Sequence, residues 1–80
     1  MIGSIKGKII LKREKWLIVE TSSGVGYKIN VSPGTKFGDV GRLQLFFIHT
    51  HVREDALDLY GFLEYPELEF FEMLISVSGI

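Results

Sequence analysis

His49-Thr50-His51-Val52-Arg53-Glu54-Asp55-Ala56-Leu57-Asp58-Leu59-Tyr60-Gly61-Phe62-Leu63 carries two strand-like apolar runs that meet at a charged break. Upstream of the break, Leu43, Leu45, Phe47, His49 and His51 alternate with Gln44, Phe46, Ile48, Thr50 and Val52. Downstream, Leu57, Leu59 and Gly61 alternate with Asp58, Tyr60 and Phe62. A period of two on both sides predicts two strands, and the residues Arg53 to Ala56 between them predict a hairpin loop. So long a hairpin, ending in adjacent carboxylates, reads as a projecting finger with an anchored apolar base and a tip free to meet a partner. The plainer reading of the same tip is an ordinary solvated turn.

The N-terminal side of the chain alternates as well. Ile5, Gly7, Ile9 and Leu11 interleave with Lys6, Lys8, Ile10 and Lys12, which predicts a first strand with one greasy and one basic face. Gly7 inside it suggests a bulge or sharp bend. Trp16 to Glu20 forms a second strand, Thr21 to Gly24 has turn composition, and Val25 to Val31 forms a third strand. Residues 32–41 hold Pro33, Gly34, Gly38 and Gly41 and read as an irregular connection. Five short strands with glycine-rich turns in 80 residues predict a mainly β fold, a five-stranded OB-type barrel, over residues 1–64.

Pro66 then opens a helix whose early acids, Glu67, Glu69 and Glu72, suit the positive end of its dipole. At 100° per residue, Glu69, Glu72 and Ser76 fall on one narrow face, and the apolar residues sweep an arc of roughly 220°. One barrel surface covers about half of that, so Phe70, Met73 and Val77 are expected to face another subunit or further polypeptide. The chain stops at Ser78-Gly79-Ile80, a turn entry, which suggests a fragment of a longer protein.

Composition narrows the function classes. A domain of 80 residues buries only roughly 60–65% of its unfolded surface, so its stability margin is thin without a partner. With no cysteine the chain has neither disulfides nor thiolate metal sites, and no apolar run approaches the roughly 18 residues of a membrane span. The net charge of −1 hides an asymmetry. Residues 1–53 hold all nine Lys and Arg against Glu14, Glu20 and Asp39, whereas residues 54–80 hold seven acids and no Lys or Arg. The basic half is compatible with phosphate contacts or with a merely solubilised strand face.

His49 and His51, two apart on one strand, have spacing that a metal such as zinc or manganese accepts. No third ligand cluster or nucleophile accompanies them, so no metal, cofactor or catalytic residue is assigned. Adjacent carboxylates are also poorly placed to flank a scissile bond as acid and base. A generic single-strand-binding OB module is the alternative, with Trp16, Tyr27 and Tyr60 as candidate stacking surfaces.

Five segments together carry a family resemblance: M-I-G-x-I-x-G at Met1–Gly7, G-V-G-Y at Gly24–Tyr27, H-x-x-V-R-E-D-A at His49–Ala56, L-Y-G-F at Leu59–Phe62 and F-E-x-L-I-x-V-x-G-I at Phe71–Ile80. End to end the chain resembles RuvA, the bacterial subunit that recognises Holliday junctions. Ser4 and Ser76 depart from that pattern, standing where basic residues are frequent. The resemblance implies a homotetramer that holds four-way junction DNA open, with Glu54 and Asp55 as an acidic pin near the crossover. It leaves Arg53 as a phosphate contact or an orienter of the pin. It also implies that residues 65–80 begin a helix-hairpin-helix domain whose first turn starts at Gly79-Ile80. Through the full-length protein it implies a RuvB-type ATPase and a RuvC-type resolvase as partners in the bacterial cytoplasm, with no membrane and no small-molecule substrate. The subunit itself is expected to be non-catalytic.

Overall fold

A computed structural model describes the backbone of residues 1–78 and the side chains through Val77. The expected helix-hairpin-helix turn at Gly79-Ile80 lies outside the described residues. Five strands, β1 (Ser4–Lys12), β2 (Trp16–Glu20), β3 (Gly26–Asn30), β4 (Leu43–Val52) and β5 (Leu57–Phe62), precede one helix, α1 (Tyr65–Ser78).

The strands close into a barrel in the order β1-β2-β3-β5-β4, with β4 returning to pair antiparallel with β1. The contact between β3 and β5 is parallel, through Asn30 and Tyr60. That order and that single parallel contact are the OB-type topology that the strand count predicted. Period-two alternation sends Ile5 and Ile9 of β1, Leu17 and Val19 of β2, Ile29 of β3, Phe46 and Ile48 of β4 and Leu59 of β5 into one core.

The β3–β4 connection is irregular, as expected, but it contributes a core residue. Phe37 is buried and lies against Phe46, with ring centroids 5.4 Å apart. Lys12 Nζ donates to the carbonyls of Phe37 and Gly38 at 3.2 and 3.3 Å, which holds that plug in place.

One local expectation changes. The bulge in β1 falls between Ile9 and Leu11, where the β2 pairing slips, and not at Gly7. Gly7 serves a close approach instead: a Cβ there would overlap the Glu20 carbonyl oxygen and lie 2.7 Å from Val19 Cγ1. Glu72, on the narrow polar face of α1, bonds to the barrel through His49.

The start of α1 is satisfied locally. The Glu64 carbonyl accepts from the N–H groups of Glu67 and Leu68, and the Glu67 carboxylate reaches back to accept from the Glu64 N–H at 3.1 Å. The Glu67 side chain makes one half of a capping box, while a backbone carbonyl and not a side chain takes the Glu67 N–H, and Pro66 in the first turn sacrifices only an N–H that has no intrahelical partner. Leu68 is buried, and Phe71 packs on Tyr60 and Phe62 with centroids at 5.6 and 5.1 Å. Phe70, Met73 and Val77 point away and are 57%, 55% and 68% exposed, so most of the apolar arc is uncovered in the isolated chain. No described helix is long and apolar enough to cross a membrane.

Candidate nucleic-acid interface

β1 accompanies β4 only from Leu43 to Phe47, and β5 meets β3 only at Tyr60. The ladder of β4 with β5 continues further, through His51–Asp58 and Val52–Leu57. Near the barrel mouth the N-terminal segment still braces β4. Thr50 Oγ1 donates to the Ile2 carbonyl at 2.8 Å and accepts from the Ile2 N–H, and the Ile48 N–H donates to the Gly3 carbonyl. Beyond Thr50 and Leu59, among the described residues, the two strands have only each other. The result is a two-stranded ribbon that leaves the barrel.

Its turn is tight. The Arg53 N–H donates to the Ala56 carbonyl at 2.8 Å, which places Glu54 and Asp55 alone at the apex. Neither has a positive φ, so this is not one of the mirror-image turns that glycine favours. Arg53, Glu54 and Asp55 are all exposed. Arg53 Nη2 lies 2.8 Å from Asp58 Oδ2, diagonally across the ribbon. With both groups partly solvated the pair contributes at most about 1 kcal/mol, but it draws the guanidinium back from the apex and leaves the two carboxylates without a partner among the described residues.

The opposite end of the same strand face fastens the helix. His49 Nδ1 and Glu72 Oε2 are 2.8 Å apart, and the His49 ring lies 5.4 Å from Phe71 and 6.3 Å from Tyr60. His51 shares that face two residues on, as the spacing predicted, and is exposed. Among the described residues no three His, Asp or Glu side chains gather as a metal cluster. The latch was missed because it joins residues 23 apart whose meeting depends on how the helix docks. We expect His49→Ala to lower stability by about 1–2 kcal/mol, since it removes the hydrogen bond and ring packing together. Glu72→Ala should cost about 0.5–1 kcal/mol. Urea titration of both singles and the double should give less than the sum, because the two share one bond; strict additivity would mean that the contact carries no energy.

Each of the three aromatics considered for base stacking has a neighbour within the chain and is partly buried. Tyr60 is packed beside His49 and Phe71, Tyr27 packs against the core, and Trp16 has Lys28 Nζ 4.6 Å from its ring centroid.

A closed five-stranded barrel that extends an acid-tipped ribbon and carries one docked helix is of the OB class, whose other members include binders of oligonucleotides and oligosaccharides. The family model described as RuvA N terminal domain matches residues 1–61, and the chain belongs to the RuvA family. It is 50% identical over 80 residues to the "Holliday junction branch migration complex subunit RuvA" of Halothermothrix orenii, covering 100% of this chain and 41% of that protein. The proteins of the same name from Acetivibrio thermocellus and Solibacter usitatus are 45% and 49% identical over 82 residues, again covering 100% of this chain and 40% and 41% of theirs. The chain thus spans about two fifths of the length of the curated relatives it matches.

Proposed function

We propose that this chain is the junction-facing barrel of a non-catalytic, homotetrameric subunit that binds four-way DNA, holds it open and works with a RuvB-type ATPase in branch migration. The observation that carries the reading is the pair Glu54 and Asp55, alone at the exposed apex of a ribbon that projects beyond the barrel. Membership of the RuvA family and the relatives' name support it.

Carboxylates at a DNA-binding face do not add affinity; they subtract it unevenly. One carboxylate about 6 Å from a phosphate costs about 0.7 kcal/mol in bulk water and nearer 3 kcal/mol at an effective dielectric of 20. The cost falls on strands that pass across the apex and spares strands that splay outward, so an open junction is tolerated where continuous duplex is penalised. Arg53, tied to Asp58, acts on this reading as an orienter of the pin.

Residues 65–80 begin a helix-hairpin-helix domain in this proposal. Phe70, Met73 and Val77 are covered by that domain or by a neighbouring subunit, and the motor and any RuvC-type resolvase are engaged by the full-length protein in the bacterial cytoplasm. A groove of about 490 Å³ between Ser32, Phe62, Pro66 and Phe70 continues the same uncovered surface.

The reading has a direct test in residues 1–80 alone. The lysines are scattered over the barrel, and phosphate contacts supply most nucleic-acid affinity, so the isolated barrel should bind four-way DNA only weakly. Titration of a labelled junction at about 0.1 M salt should give a dissociation constant above about 1 μM, against nanomolar binding by the full-length protein. Sub-micromolar binding by residues 1–80 would move the main DNA surface onto the barrel.

A further inference from the structure

Val52 and Leu57 face each other as the last rung of the β4–β5 ladder, directly below the acidic apex. They share a strand face with Thr50 and Leu59, which are buried at the barrel mouth. One rung further out there is no barrel left to cover them, and they are 64% and 55% exposed. The other face of the ribbon carries His51, Asp58 and Arg53, with the Arg53–Asp58 ion pair lying across it. The ribbon therefore has one charged side and one apolar side under a carboxylate cap. Strand propensity alone does not require two large aliphatic side chains in solvent, because threonine would serve it equally well.

We propose that the Val52–Leu57 rung is an apolar wedge that contacts the faces of nucleobases unstacked at the crossover of four-way DNA, while Glu54 and Asp55 keep phosphates away. The inference rests on the junction reading above and deepens it. Electrostatics favour nucleobases over phosphates at this rung. The apex rejects the charged part of DNA but not the bases, which are flat, uncharged and apolar on their faces. Two side chains also present far less area than a stable protein interface needs. Apolar side chains inserted at base steps are a general means of unstacking DNA, and contact with the exposed base faces offsets part of the unstacking cost.

The test uses the full-length protein and a four-way junction with 2-aminopurine at the crossover, whose fluorescence rises when its base unstacks. The double variant Val52→Thr, Leu57→Thr retains strand propensity and removes apolar surface only at exposed positions. The wild type should raise the crossover signal at saturation, and the variant should show a rise about fivefold smaller or less, with the junction still bound and the molar mass by light scattering unchanged. An equal rise in both proteins overturns the wedge, as does a wild-type complex with no rise at all. A change of molar mass in the variant also overturns it, assigning the rung to contact between copies. Failure of the wild type to bind four-way DNA sinks the junction reading itself, so the two failures are told apart in one experiment.

Discussion

Phe46→Ala is expected to remove most of the domain's stability, about 3–5 kcal/mol. Phe46 is fully buried and stacks on Phe37, the plug supplied by the β3–β4 connection, and it also borders the space above Gly61. Truncation empties the point where strand, loop and barrel end converge, and the closed ladder limits how far its neighbours collapse into the gap. Domains of this size commonly hold a total near the low end of 5–15 kcal/mol, so the variant should be substantially unfolded at 37 °C. With a urea slope of about 1–2 kcal/mol per molar, the midpoint should fall by roughly 2 M or more. A drop below about 0.5 M would show that the plug closes the cavity by itself, and the core account would then be wrong.

The other large effect is functional. In the full-length protein, the double replacement Glu54→Gln, Asp55→Asn removes two negative charges per subunit while keeping side-chain size and hydrogen-bonding shape. Both groups are exposed at the apex, so little stability should be lost. If each carboxylate repels a nearby phosphate by about 0.7–3 kcal/mol, duplex binding should tighten roughly tenfold or more. On the proposed reading junction binding should tighten less, because strands that splay from the apex would feel less of its charge. Raising the salt to about 1 M cuts the screening length to about 3 Å and should erase most of the difference between the proteins.

Much of this was legible in the chain. The alternation on either side of Arg53–Ala56 located β4 and β5 and placed Glu54 and Asp55 at the turn, because strand period depends only on local burial and the break in it is sharp. The barrel followed from strand number and length, and the uncovered face of α1 from its apolar arc.

What stayed hidden depends on contacts distant in sequence. Phe37 sits in a Gly/Pro-rich connection with no periodicity, and its being a lone aromatic there was the one available hint. Lys12 turns toward the Phe37 and Gly38 carbonyls only after the slip between Ile9 and Leu11, which alternation does not reveal. Gly7 looked like a bend because glycine in a strand has several uses, and only the approach of Glu20 shows which one applies. The Arg53–Asp58 pair was within reach, since a two-residue turn places those positions diagonally across a hairpin.

The acidic apex as a discriminator between open junction and duplex is the centre of the account. The most direct measurement is the ratio of duplex to junction dissociation constants, side by side at low salt, for the full-length protein and its Glu54→Gln, Asp55→Asn variant. A repulsive apex gives a severalfold lower ratio for the variant, with the loss of selectivity arising mainly from tighter duplex binding. Equal ratios for the two proteins would contradict it and leave Glu54 and Asp55 as a solvated turn.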